Sequence, residues 1–392
     1  MIKNLKEKYN PQFFLAALGS GGLGVSFFMY FMFMIPHPDT PMATFNDIVP
    51  YLTGDNKGIA VLVALAYLFV IYFAYRHFKL LIWNVREFKL FKQTEAYEKL
   101  KRSNGAVSLM AIPLTFAMSI NMLFVLGAIF VPNLWNVIEW LLPFAIVAFL
   151  IVGYFALKIY IGYFSRFLQG NFDFVQNNHL GQMLAIFAFA MIAVGLAAPA
   201  GMSSVMATSA IAMFFSIFFA TIAISLSIVK VVLGVRGMFD QGVSKEAGPS
   251  LWLMVPIITL LGITFVRLYA GISHNFFNTN PSPFVIFLVL AGLVSLQIIF
   301  GMVGYNVLKN IRYFEDYTKL DGPMKSAGSY GLICPGVAFF VLGMFFVGWG
   351  LIKTNIVPQF SVYHFIILIP FVAMQIKAIQ VLLRLNKKLL KA

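Results

Sequence analysis

Ten stretches of this sequence, roughly residues 12–36, 58–82, 106–131, 138–163, 182–204, 206–233, 250–272, 284–307, 329–352 and 361–384, are each long and apolar enough to cross a membrane. A helix needs about 20 mostly apolar residues to span the hydrocarbon core. Lipid cannot hydrogen-bond an exposed backbone, so segments of this kind fold as helices. They fill most of the 392 residues, which leaves no sizeable soluble domain. Composition agrees: 11% of residues are charged, against roughly a quarter in soluble domains, and the mean hydropathy is +0.87. The first apolar run continues to Pro36, too long for the core of a cleaved signal peptide, and reads as a retained span.

The connections alternate in character. Polar, basic loops follow the second, fourth, sixth and eighth spans, and the tenth runs into LRLNKKLLKA. Of the 28 Lys and Arg, only Lys57, Arg267 and Lys353 fall on the opposite side. The positive-inside rule therefore predicts cytoplasmic N- and C-termini, in a plasma membrane such as the bacterial inner membrane. It also accounts for the net charge of +14 without a nucleic-acid partner.

A repeated signal marks the odd-numbered spans. GAVSLMAIP, Gly105 to Pro113, enters the third, and GPSLWLMVP, Gly248 to Pro256, enters the seventh. The ninth has AGSYGLICP, with Pro335 seven residues after Gly328. The first carries the glycines Gly19, Gly21 and Gly22 at a similar depth, and the fifth has only the later Pro199. A mid-helix proline frees the carbonyl four residues earlier, here Leu109, Trp252 and Gly331. A freed carbonyl in a membrane is tolerated against protein or a water-lined cavity. Small and mildly polar residues lie near these breaks: Ser20, Thr115, Ser119, Asn121, Thr259, Thr264 and Gly336. The even spans are bulkier. The expected fold is an all-α membrane protein of five parallel helical hairpins, residues 12–82, 106–163, 182–233, 250–307 and 329–384. Kinked odd spans would line a central path with even spans outside. Ordinary Gly and Pro packing between membrane helices is the alternative.

Ten spans, parallel hairpins and odd helices broken by proline or glycine resemble the tellurite-resistance/dicarboxylate transporter family, which includes bacterial TehA and the plant slow anion channels. The resemblance is architectural and covers nearly the whole chain. It implies a central pore for small anions, occluded by a phenylalanine on the ninth helix, and assembly into trimers; a dimer is the other homo-oligomer considered. By depth, Phe340 or Phe339 matches that gate.

Ionisable residues inside a membrane are costly and usually functional. No Asp or Glu lies mid-span; Glu139 starts the fourth. Arg267, in the outer part of the seventh span, either raises the local anion concentration or snorkels to the interface. Lys158 and Lys230 read as snorkelling. The loop 85–104, with Phe88, Phe91 and Tyr97 among charges, reads as an amphipathic helix lying on the membrane. The single Cys334 permits no internal disulfide or cysteine cluster. The histidines His37, His77, His179, His274 and His364 lie in loops or toward span ends with no metal or haem spacing. No nucleotide loop, zinc-protease motif or hydrolase elbow is present, so neither an enzyme nor a cofactor is expected. The sequence thus points to passage of a small anion through a membrane, by a channel with an aromatic gate or by a secondary carrier for an organic or sulfur-containing anion. A non-conducting scaffold or sensor with a blocked pore is the third reading.

Overall fold

A computed structural model describes residues 1–169 and 180–391. Among these the chain is helical throughout, with twelve α-helices in the order α1 (Phe14–Met34), α2 (Phe45–Thr53), α3 (Lys57–Phe91), α4 (Glu95–Arg102), α5 (Ala111–Phe130), α6 (Ile138–Leu168), α7 (Met183–Met202), α8 (Met206–Gln241), α9 (Met254–Phe277), α10 (Pro283–Asn310), α11 (Ile333–Phe345) and α12 (Val362–Leu389). All but α2 and α4 belong to the ten helices long and apolar enough to cross a membrane. His179 and most of the loop after α6 lie outside the described residues.

The two classes of span separate by burial. The core windows of α1, α5, α7, α9 and α11 are 56–100% buried inside the protein, while those of α3, α6, α8, α10 and α12 are 22–39% buried. Hydrophobicity cannot produce this division, because both classes are strongly apolar. Side-chain size can. Gly, Ala and Ser let helices approach closely in lipid, where packing rather than water exclusion drives association. The most deeply buried span, α7, MLAIFAFAMIAVGLAAPAGM, is rich in Ala and Gly. Helix α1 packs against α5 and α11, α5 against α7, α7 against α9, and α9 against α11, so the contacts return to α1. The outer helices rest on the inner ones: α3 on α1, α8 on α7, α12 on α11, α6 on both α5 and α7, and α10 on both α9 and the α11 segment.

Polar tethers tie outer helices to inner ones. Gln297 of α10 donates to Val255 O and Thr259 Oγ1 of α9 at 2.8 and 2.6 Å. Gln375 of α12 donates to Ser26 Oγ and accepts from Tyr30 OH, both at 2.8 Å. Ser216 of α8 donates to Ala193 O of α7 at 2.8 Å. Such bonds between membrane helices contribute on the order of 1 kcal/mol each. The two ends of the chain also meet: Ile2 N donates to Leu390 O at 3.1 Å, and Trp83 Nε1 to Ile2 O at 2.7 Å.

The repeated entry signal takes a form different from a mid-helix kink. Short 3₁₀ segments, Pro11–Phe13, Asn104–Met110, Gly248–Trp252 and Ala327–Leu332, precede α1, α5, α9 and α11. Asn10, Ser103 and Ser326 cap three of them by accepting from the backbone N–H two residues on. Pro113, Pro256 and Pro335 are each the third residue of the α-helix that follows. In a first turn the missing N–H is tolerated, because that donor has no intrahelical partner. The break is thus a 3₁₀-to-α junction near the helix entrance. Helix α1 runs unbroken through Gly19 and Gly22, which instead admit Ile333 and Val337 of α11 at close range. At the other end, Asn133, Asn278 and Asn355 follow α5, α9 and the α11 segment with positive φ of 54°, 50° and 58°. Asparagine visits this left-handed region more readily than other side chains.

The reading of residues 85–104 as a helix lying on the membrane needs correction. Helix α3 continues to Phe91, and only Glu95–Arg102 forms the separate α4. Phe88 and Phe91 pack on the buried Tyr9 ring at centroid distances of 6.3 and 5.7 Å, and Tyr97 packs on both. The apolar face is therefore used inside the protein. Glu87, at the same end of α3, accepts from the backbone N–H groups of Asn4 and Leu5.

Candidate functional site

All five inner helices contribute to a central cavity of about 150 Å³. Gly19 and Gly22 of α1, Asn121 of α5, and Pro256, Thr259 and Arg267 of α9 are the sequence candidates that line it. The other candidates do not. Ser119 is buried between helices, donating to Thr115 O at 2.9 Å and bonding His77 Nε2 at 2.8 Å. Thr264 donates to Leu260 O one turn back at 2.8 Å. Pro113 and Pro335 are buried at their junctions without lining the cavity.

The two gate candidates are also displaced from it. Phe340 is fully buried against Tyr30 of α1, with centroids 5.4 Å apart. Phe339 packs on Phe371 of α12 at 4.8 Å. On α11 the cavity is lined by Cys334, Val337, Ala338, Val341 and Phe345. That is a helical stripe of three- and four-residue steps, and positions 339 and 340 fall off it. Depth alone suggested Phe340; the rotation of α11 about its axis decides otherwise.

Two further cavities flank the central one. The first, about 650 Å³, lies at the C-terminal ends of the inner helices and is lined by His37, Trp349 and Lys353 among others. It shares Phe28, Met29, Met42, Met202, Arg267 and Phe345 with the central cavity. The second, about 290 Å³, lies among the 3₁₀ entries. Its floor includes Leu15, Leu184 and Leu253, and three residues further along the same helices Leu18, Phe187 and Pro256 line the central cavity. Three residues are about 4.5 Å of helix rise. One turn of apolar side chains separates these two spaces.

Among the described residues, Arg267 is the one charged side chain of the central cavity. It sits 13 residues beyond Met254, about 20 Å along α9 at 1.5 Å per residue. Nη1 donates to Val194 O of α7 at 3.3 Å. Among the described residues the ion pairs are Lys101–Glu98 and Lys245–Asp316, so no carboxylate neutralises Arg267. Beside it α7 and α9 approach backbone to backbone. A Cβ on Gly201 would meet Arg267 O at 2.6 Å, and one on Gly271 would meet Ala200 O at 2.4 Å. The guanidinium has five donors, and the side chain lines both cavities. Glu139, by contrast, is occupied: it accepts from Ser203 Oγ, Ser204 N and Ser204 Oγ at 2.6–2.8 Å and fixes the turn between α7 and α8.

Asn121 Nδ2 reaches only the weak acceptor Met191 Sδ, at 3.5 Å. Thr259 spends its hydroxyl proton on Ala338 O at 2.9 Å, bridging α9 to α11. His77 is the residue that sequence reasoning misplaced. Far from a span end, it is wholly buried where α1, α3 and α5 meet, bonded to Ala17 O and Ser119 Oγ. The signal was the small residue opposite: Gly21 leaves the space that the imidazole occupies. No group of three potential metal ligands converges among the described residues. Comparison with protein-family models, curated proteins and solved structures found no match to this chain.

Proposed function

We propose that this protein passes small anions across a plasma membrane, along an axis surrounded by α1, α5, α7, α9 and α11, each paired with an outer helix in one of five hairpins. The observation that carries the reading is Arg267, a cation without a carboxylate partner at the junction of the wide cavity and the central one. Arg267 is half-buried, and a partly desolvated charge without a partner is unfavourable. An anion that enters the site supplies the missing partner. At 4 Å the attraction is about 1 kcal/mol in water and about 4 kcal/mol at an effective dielectric of 20. That is enough to concentrate an anion without trapping it, which conduction requires.

The termini face the cytoplasm in this reading, by the distribution of Lys and Arg, and Lys353 and Arg267 face the outside. The aromatic constriction moves from Phe340 to Phe28 and Phe345, which line both cavities. The resemblance to the tellurite-resistance/dicarboxylate transporter family supports the same function. A secondary carrier is the second reading, favoured by the turn of apolar side chains that separates the central cavity from the entry cavity.

The test is nitrate and chloride flux from proteoliposomes containing wild type, Arg267→Lys or Arg267→Gln. The expected result is anion flux that survives in Arg267→Lys and drops about fivefold or more in Arg267→Gln, the factor for about 1 kcal/mol. Equal flux in wild type and Arg267→Gln would remove Arg267 from the path. No flux in any protein, with insertion verified, would favour the non-conducting scaffold.

A further inference from the structure

We infer that the central cavity is a binding site for a monocarboxylate with a compact apolar body of about six carbons, its carboxylate on Arg267 and its body among the side chains below. This rests on the reading of Arg267 as the anion-attracting group. It goes further by assigning a substrate class to the space beneath it.

Three features of the cavity carry the inference. First, its charge is single: among the described residues no Lys, His, Asp or Glu accompanies Arg267 in the lining. A planar guanidinium pairs with one carboxylate through two parallel hydrogen bonds. A second carboxylate in the same space would be buried without a partner, at a cost of several kcal/mol. Second, the rest of the wall is apolar and adaptable, with Met118, Phe124, Val125, Phe187, Met191 and Val337. Such a wall offers a bare inorganic ion few donors to replace its water, whereas it rewards an apolar body. Methionine side chains also adjust to irregular shapes. Third, the size fits. An apolar cavity of about 150 Å³ holds a molecule of the size of benzene, and this cavity has about that volume. Asn121 Nδ2, engaged only by a thioether, adds one donor for a polar substituent.

Ala198 offers a way to fill the space selectively. Ala198 retains partial exposure within an otherwise buried stretch of α7. That exposure is to the cavity it lines. A larger side chain there projects into the proposed site.

The experiment is titration calorimetry on the purified full-length protein in detergent at neutral pH, with benzoate, acetate and succinate as probes. The proteins are wild type, Arg267→Gln, Ala198→Phe and, should the last not fold, Ala198→Leu. Nitrate flux is measured on the same preparations. Benzoate should bind at least about tenfold more tightly than acetate, since each buried CH₂ contributes about 0.8 kcal/mol, and more tightly than succinate. Its affinity should drop about tenfold or more in both Arg267→Gln and the filled-cavity variant. Acetate or succinate binding as tightly as benzoate, or unchanged benzoate binding in the filled variant, would overturn the inference. Arg267-dependent nitrate flux without benzoate binding would overturn the substrate class alone. Loss of both would overturn the anion reading as well. Arg267-dependent benzoate binding without flux would keep the site and overturn conduction.

Discussion

Replacing Gly21 by alanine tests whether the junction of α1, α3 and α5 is built around His77. A Cβ at position 21 would lie 2.7 Å from His77 Nδ1 and 2.7 Å from Met118 Cγ. Met118 can move aside, but His77 is held at both ring nitrogens by 2.8 Å contacts with Ala17 O and Ser119 Oγ. Displacing the ring forfeits one of these bonds, about 1 kcal/mol. Overpacking adds about 1–3 kcal/mol. Replacing glycine within a helix returns about 0.5–1 kcal/mol. The balance is a loss of about 2 kcal/mol. His77→Ala alone removes the same bonds and leaves a hole, for a loss of about 2–4 kcal/mol. In the double variant the new methyl occupies part of that hole, so the two losses should fall short of additivity by about 1 kcal/mol or more. Gly292 of α10 has nothing within 4 Å of its would-be Cβ, and Gly292→Ala should stay within about 0.5 kcal/mol of wild type. Denaturation of wild type and the four variants in one detergent reads these differences. If Gly21→Ala were as harmless as Gly292→Ala, or if the losses simply added, the account of the junction would be refuted.

Phe340→Ala should destabilise the protein by about 3–5 kcal/mol, as expected for a buried aromatic, without raising anion flux per folded molecule. Phe345→Ala should raise that flux, and the opposite order in proteoliposomes would restore Phe340 as the gate. On the terminus face, the hydrogen bond from Lys245 holds the Asp316 carboxyl below its ordinary range. A carboxyl depressed in the folded state contributes stability above its unfolded pKa and loses it as pH falls through the folded value. Wild type should therefore lose more thermal stability than Asp316→Asn on acidification from neutral pH through the carboxylate range; parallel pH profiles would exclude the pair as a contributor.

The sequence by itself determined the class of fold. Ten apolar runs have no alternative to helices in lipid, and the SNG, EAG and SAG entries with their following prolines marked where the inner helices begin. The inner and outer roles were also legible, because Gly, Ala and small polar residues set how closely helices approach. The same reasoning drew attention to Arg267, since an arginine so far along an apolar helix needs a reason to be there, and the structure places it at the central cavity.

What only the tertiary structure decided is rotation and partnership. Phe339, Phe340 and Phe345 are alike in sequence. A helix turns 100° per residue, so the orientation of α11 alone sends two to neighbouring helices and one to the cavity. Ser119 and Asn121 are two residues apart on α5, yet one is consumed by His77 and the other lines the central space. The prolines acquired their meaning from the 3₁₀ turns before them, which satisfy a helix entrance that a uniform α-helix would have kinked. Whether Arg267 is neutralised depends on which carboxylates come near it, and Glu139 is held instead by Ser203 and Ser204. A linear sequence carries residue type and spacing; the contacts that turn a lone charge into a site arise only when five helices close on one another.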